Sequence, residues 1–506
     1  MALWVTLLCT LIATLLAGLY LLGMLRRRGP NEPPLDKGTI PWLGYALDFR
    51  KDSSEFLKRM QRKHGDIFTV LIGGYYFTFV MDPFCFGAIV KEARSKLDFR
   101  SFATKLVLQV FGYKPLKENH IIIHESSTKH LMGDGLTVMV QATMENFQKL
   151  MLRSGEDKRV WQEDGLFQYC YNIVFRAGYL ALYGTEPHQG AESKEKANEQ
   201  DRILSNQLFR EFRKYDRLFP RLAYSMLPPK DKIEAERLKR FFWNMLSVKK
   251  NCQKDNISRW ISDQNQLLAE NGTPEYMRDR FNFMLLWASQ GNTGPTAFWL
   301  LLYLMKHPEA MKAVKEEVDR VLRENGQEVK PGNPLINISR DMLNQTPILD
   351  SVVEETLRLV AAPILVRAVL QETNLKTSSG TEYTLRKGDR LALFPYISVQ
   401  MNPEIHPDPH EFKYDRFVNP DGTKKEFYKN GKKLKYFNMP WGAGVSICPG
   451  RFFATAEIKL FVFLMLSYYD LELVNEEEEI PQIDVTRWGF GTMQPVRDVR
   501  FRYRPR

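Results

Sequence analysis

The chain has 506 residues, 44% hydrophobic and 26% charged, proportions of a globular protein that exclude a disordered or fibrous chain. Its formal net charge of +11 points to an anionic membrane surface or an acidic protein partner, whereas no zinc-ligand spacing, aromatic RNA-binding signature or dense basic run supports nucleic acid. The five cysteines, Cys9, Cys85, Cys170, Cys252 and Cys448, are odd in number, far apart and without a C-x-x-C pair, which argues against a disulfide framework or zinc site and for a reducing compartment.

From Leu3 to Met24 the chain is apolar and uncharged. About 22 residues at ~1.5 Å each give a helix of ~33 Å, the thickness of a bilayer core. Arg26, Arg27 and Arg28 follow directly, and positive flanks stay cytosolic, so the N-terminus is expected to face the lumen and the body the cytosol. A cleaved signal peptide would have a shorter apolar region with basic residues before it. Residues 1–25 are therefore expected to form a transmembrane anchor, 26–45 a basic, proline-rich linker, and 46–506 one large domain. The sequons at Asn256, Asn271, Asn337 and Asn344 are expected to be unmodified on that topology.

Past the linker, "KHGDIFTVLIGGYYFTFVMDP" reads as two strands joined at Gly73-Gly74, a hairpin signal. From about Pro83 to Arg323 the pattern is mostly helical, with polar breaks near Gly133-Asp134-Gly135 and Pro187–Gly190. "RFNFMLLWASQGNTGPTAFWLLLYLMKHPEAM" is apolar on nearly all sides, but Gln290, Gly291, Asn292, Gly294 and Pro295 interrupt its middle. That pattern fits a buried central helix with a local break better than a second membrane span. The last third mixes short strands, loops and helices. The expected fold class is mainly α with small β-sheets.

Two later stretches carry chemistry. In "ILDSVVEETLRLV", Glu355 and Arg358 stand three apart on one helix face and can pair; Arg416, in "DPHEFKYDRF", can share the same carboxylate through its fork of donors. The second is Trp441-Gly-Ala-Gly444-Val-Ser446-Ile-Cys448-Pro-Gly450, ahead of a helix-forming run. Glycines let the backbone approach a flat ligand, and a helix N-terminus lowers a thiol pKa. One thiolate on a tight loop is what an axial haem ligand of the oxygen-activating kind requires.

Taken in order, these stretches resemble the cytochrome P-450 family over essentially the whole chain. The family pattern aromatic-x-x-Gly-x-x-x-Cys-x-Gly is met by Trp441, Gly444, Cys448 and Gly450, and its structural triad by Glu355, Arg358 and Arg416. The resemblance implies a haem-thiolate monooxygenase domain over 46–506, with haem b (iron protoporphyrin IX) on Cys448. It also implies electrons from NADPH by way of NADPH-cytochrome P-450 reductase, and residence in the endoplasmic reticulum membrane against its lipid.

Two departures narrow the reading. Where many members have a basic residue two before the cysteine, this chain has Ser446; Arg367 then becomes the expected partner of a haem propionate, with Lys129 and His130 as weaker ones. Where the family has an acid followed by a threonine, this chain has Gly291 and Asn292, with Thr293 one step out of register, so Asn292 and Thr293 are the candidate catalytic pair. That asparagine resembles the branch that oxidises sterols and rearranges a prostanoid endoperoxide. A sterol substrate is expected, contacted by Trp287, Ala288, Gly291 and Thr492. An endoperoxide isomerase, and a haem or lipid binder without chemistry, are the alternatives. Lys424, Lys425, Lys429, Lys432, Lys433 and Lys435 are candidates for the reductase-facing surface or for lipid contact.

Overall fold

Gly73 and Gly74 adopt φ of 56° and 81°, the left-handed values that close a tight hairpin. They join strands β2 (Ile67–Ile72) and β3 (Tyr75–Val80) in antiparallel register, with Thr69 opposite Thr78. The computed structural model describes residues 2–24, 26–116, 119–152, 160–330 and 333–506. The hairpin belongs to a six-stranded sheet with β1 (Leu35–Asp36), β4 (Leu97–Asp98), β5 (Leu365–Val369) and β6 (Arg390–Leu393), in the order β1-β2-β3-β6-β5-β4. A three-stranded antiparallel sheet of Gln162–Gly165, Arg500–Pro505 and Tyr469–Leu473 lies elsewhere. The rest is mainly helical.

The helices used below are α1 (Ala2–Met24), α2 (Ala46–Lys51), α3 (Asn119–Leu131), α4 (Gly133–Met151), α5 (Leu166–Tyr183), α6 (Ala191–Ala223), α7 (Glu275–Gln290), α8 (Thr293–Lys306), α9 (Pro347–Val360) and α10 (Arg451–Tyr468). Helix α8 is buried from Thr293 to Leu304, as an all-round apolar sequence requires. It packs on α5, α9 and α10. Its approach to α5 depends on Gly294, where a Cβ would stand 2.3 Å from the Tyr171 ring.

The expected local break of the central helix falls at Gly291-Asn292, dividing it into α7 and α8. Pro295 does not cause a mid-helix break. It sits in the first turn of α8, where its missing N–H is one of the donors a helix start leaves free anyway.

Segment 26–45 is docked on the sheet. Arg26 makes a two-pronged contact with Asp389 at 2.7 and 2.8 Å and lies 4.1 Å over the Tyr76 ring; Arg386 reaches Glu32; and β1 adds a parallel strand beside β2. Helix α1 is uncharged over 23 residues. Its described side chains cover residues 3–18, nearly all exposed, and among the described residues no helix is long and apolar enough to cross a membrane.

Candidate active site

Helix α9 presents Glu355 and Arg358 on one face, both fully buried. Arg358 donates through Nε and Nη2 to the two carboxylate oxygens at 2.7 and 2.9 Å. Arg416 donates through Nε to both oxygens at 3.0 and 2.9 Å, and the Lys413 amide adds a bond at 3.0 Å. The remaining guanidinium donors reach carbonyls of Gln400, Pro407, Asp408, Pro409 and Glu411. One buried carboxylate therefore organises the loop from 400 to 416 against α9.

The cysteine loop is closed by the Cys448 amide donating to the Trp441 carbonyl at 2.8 Å. Gly444 has φ of 64°, and a Cβ there would lie 2.3 Å from the Val90 carbonyl oxygen, so only glycine fits. Gly450 has φ of −84°, and a Cβ would meet the Cys448 sulfur at 3.9 Å, ordinary contact; the polypeptide does not demand glycine there. Helix α10 starts at Arg451, three residues past the cysteine. Burial pushes the Cys448 thiol above its usual range, against the lowering pull of the Gly450 amide, the Arg451 charge and the Arg451 amide. The expected net lowering by a helix start is thus overturned: the helix-start amides act in the expected sense, but desolvation outweighs them.

The structure brings Arg367 to this loop. It lies on β5, is 4% exposed, and its Nη2 reaches the Ala443 carbonyl at 3.4 Å. Among the described residues no carboxylate lies within ion-pair distance of it, and burial lowers its pKa with only the more distant Asp98 charge opposing. A buried guanidinium without an anion beside it, a single thiol with amides directed at its sulfur, and a loop that admits no side chain at Gly444 together suit a haem: Cys448 for the iron and Arg367 for a propionate. Lys129 and His130, the weaker expectations for that role, are otherwise engaged; both hold Asp263 on helix Arg259–Glu270, at 2.8 and 2.9 Å.

The segment leading into β5 ties this loop to the helix break. The Ala362 amide donates to Gly491 O, Gly489 N to Ala362 O, and Met493 N to Val360 O, at 2.8 to 3.0 Å. Loop 489–493 in turn grips α8: the Thr492 amide donates to Asn292 Oδ1 at 2.9 Å, the Thr492 and Thr296 hydroxyls lie 3.1 Å apart, and Trp299 Nε1 donates to Met493 O at 2.8 Å. Asn292 thus satisfies a backbone amide of the C-terminal loop. Its oxygen is committed, and Thr492 is buried with its hydroxyl turned to Thr296.

Among the described residues the buried Thr293 Oγ1, both oxygens of Glu457 on α10 and both amide atoms of Gln290 have no hydrogen-bond partner. Burial raises Glu457 from the usual 4.5 to about 8, with the neighbouring Thr293 hydroxyl opposing. The Glu457–Thr293 contact was not anticipated from sequence, although a lone carboxylate in the apolar run "FFATAEIKLFVFLML" was its signal. Trp287 stacks on Phe219 at 4.1 Å and stands beside Phe111; among the described residues its buried Nε1 has no acceptor. Ala288 is exposed, although Leu286 and Gln290 on the same helix are buried. Gly291 is buried, its carbonyl accepting from the Tyr171 hydroxyl at 3.3 Å.

A sequence profile of the cytochrome P450 family matches residues 33–501. The chain is 55% identical over 508 residues to the 7-alpha-hydroxycholest-4-en-3-one 12-alpha-hydroxylase of Homo sapiens, covering 100% of this chain and 99% of that relative. It is 44% identical over 486 residues to the prostacyclin synthase of Homo sapiens, covering 95% of each. The solved structure of a retinoic acid-bound cyanobacterial CYP120A1 superposes with a TM-score of 0.70 at 20% identity, covering 95% of this chain and 100% of that one, which establishes the shared fold.

Glu355→Gln strands two buried guanidiniums without their carboxylate and is expected to cost about 3–5 kcal/mol, read as a lowered thermal midpoint and a reduced yield of folded protein; an unchanged midpoint would remove the organising role given to Glu355. Glu457 is neutral in the folded chain below about 8 and ionises near 4.5 when unfolded. Its contribution is therefore complete below about 4.5 and lost as pH rises towards 8. The melting temperature of Glu457→Gln minus that of the parent should increase across that window, and a flat difference contradicts the assignment.

Proposed function

The chain belongs to the cytochrome P450 family, and from that premise we propose that this monooxygenase hydroxylates 7α-hydroxycholest-4-en-3-one at C12, on the α face, in the synthesis of bile acids of the cholic acid type. The observation that carries this reading is the end-to-end likeness to a 12-alpha-hydroxylase, nearer than the likeness to prostacyclin synthase. Haem, when bound, supplies activation of O2 and the oxidising equivalent for a C–H bond. Cys448 is the residue that would hold the iron, with its sulfur in reach of the Gly450 and Arg451 amides, and Arg367 would neutralise a propionate.

The remaining work is positioning. A rigid steroid gives one product only if one carbon is held towards the reacting centre. Trp287, Ala288 and Gly291 line the route along α7 to the break, and the unpaired Trp287 N–H is a donor suited to a steroid oxygen. Thr492 acts one step back, holding Asn292 through its amide. Asn292 retains its Nδ2 donor, and the Thr293 hydroxyl with the raised Glu457 carboxyl beside it can hold a proton at the place where the family uses an acid and a threonine.

Electrons are supplied by a reductase, which we take to be the NADPH-dependent flavoprotein of the same membrane. The lysines from 424 to 435 support a docking face for it, although Lys433 and Lys425 are partly balanced by Glu426 and Asp415. Helix α1, 23 residues without a charge and followed by three arginines, supports a single-pass anchor in the endoplasmic reticulum membrane with the body cytosolic.

The test is incubation with reductase, NADPH and 7α-hydroxycholest-4-en-3-one, followed by mass analysis. One oxygen added at C12 is expected, and Cys448→Ala should lose both product and the red-shifted Soret band of the thiolate-ligated carbonyl complex. An endoperoxide isomerase has one observation in its favour, the absence of the acid–threonine pair; conversion of prostaglandin H2 without NADPH would establish it instead. Trp287→Phe keeps the stacking surface and removes the donor. It is expected to weaken sterol binding by about 1 kcal/mol, roughly fivefold, in a spectral titration, and unaltered affinity would show that the N–H meets no sterol oxygen.

A further inference from the structure

Helix α6 ends next to a cleft with an unusual charge balance. Asp216, fully buried, accepts from Arg487 Nη2 at 2.9 Å, from Arg213 Nη1 at 3.0 Å and from Gln494 Nε2 at 2.7 Å. Two guanidiniums thus share one carboxylate, and among the described residues the buried Nε atoms of both have no acceptor. Beside them opens a cavity of about 210 Å³ lined by Arg50, Arg217, Arg221 and Arg487, with Asp484 the only acidic residue in its wall among the described residues. Asp484 is occupied in capping its own turn through the Thr486 amide and hydroxyl, and Arg221 leans on Asp231 outside the cavity wall. Among the described residues Arg50 and Arg217 have no ion-pair partner.

Arg50 and Arg217 are exposed and Arg221 is half-buried, so the cleft presents more positive than negative charge to what approaches it, and guanidinium forks match the oxygens of phosphate-type anions. The volume decides the size of ligand. Pockets for drug-sized molecules run from about 300 Å³ upward, so this one is too small for a sterol and suits a single headgroup. Tyr224 lines the cleft, and exposed apolar residues stand near its lining residues in the chain: Leu47 on α2, Met226 after α6 and Val485 on the turn before Arg487. Arginines within an apolar rim are the arrangement of a surface that meets a lipid interface.

We propose that the cleft formed by Arg50, Arg217, Arg221 and Arg487 binds a phosphate-type oxyanion, the headgroup of an anionic lipid or free phosphate. Bound there, the anion bridges α2, α6 and the C-terminal turn, and so ties the end of α6 to the loop that carries Thr492.

The test uses the full-length haem-loaded protein and its Arg50→Gln/Arg217→Gln variant, both exposed positions outside the catalytic machinery. One arm measures the melting temperature in inorganic phosphate against chloride at matched ionic strength. The other compares vesicles of phosphatidylcholine with vesicles of phosphatidylcholine and phosphatidic acid. The parent is expected to gain at least about 2 °C in one arm, and the variant to lose most of that gain. A gain with inorganic phosphate identifies the free anion as sufficient, and a gain with phosphatidic acid alone identifies the lipid headgroup. No gain in either arm, or an equal gain in the variant, overturns the proposal.

Discussion

The Glu355 carboxylate is the constraint on which the rest depends. It is fully buried and accepts from two guanidiniums and a backbone amide. An unpaired charge at such depth would be costly. Here each guanidinium spends its other donors on carbonyls of the 400–416 loop, so the charge is satisfied only when that loop is folded against α9. Gln400 closes the arrangement from the other side, donating to the carbonyls of Arg358 and Ala361 at 2.9 and 2.8 Å. The end of α9 is thereby fixed, and with it the chain that runs on through Ala362 into β5. Arg367 and the cysteine loop inherit their placement from that anchor point.

From the same point the structure reaches the helix break. Segment 360–363 bonds to loop 489–493, and that loop bonds to Asn292 and Thr296. The break between α7 and α8 is therefore held from outside by a strand-like segment and is not left to local turn preference. Gly491 is part of the reason: a Cβ there would stand 2.3 Å from Asn292 Oδ1. The asparagine and the C-terminal loop thus form one unit, and a change in either moves the other.

Much of this was legible in the sequence because the signals were local. The Gly73-Gly74 hairpin, the Glu355–Arg358 spacing and the glycine-bearing cysteine loop each need only a few residues to be read. What escaped depended on tertiary contacts. Asn292 reads in sequence as half of a candidate catalytic pair, yet its oxygen is taken by Thr492, 200 residues away. Helix-start amides were expected to lower the Cys448 thiol, and nothing in a ten-residue window reveals how much burial the surrounding helices impose. Pro295 looked like a helix breaker, and only the location of the break shows that it stands in a first turn. Glu457 was visible as a charge in an apolar helix, but its neighbour Thr293 sits on another helix entirely.

The buried arginines separate into two kinds, and the distinction rests on how fully their donors are used. Arg358 employs all three nitrogens within the protein, as does Arg176, whose Nε, Nη1 and Nη2 reach Ser205, Asn172 and the Arg202 carbonyl, all near 3.0 Å. These are structural. Arg367 makes one long contact, and Arg487 leaves its Nε without a partner while sharing Asp216 with a second cation. Among the described residues Arg26, Arg213 and Arg278 also leave a buried Nε without a partner, so the unused donors of Arg367 and Arg487 gain meaning only from where they stand. Their unused donors are best understood as places where the polypeptide supplies one half of an ion pair and something outside the polypeptide supplies the other. For Arg367, beside the cysteine loop, the partner we propose is a haem carboxylate; for Arg487, in the small cleft, it is a phosphate-type anion.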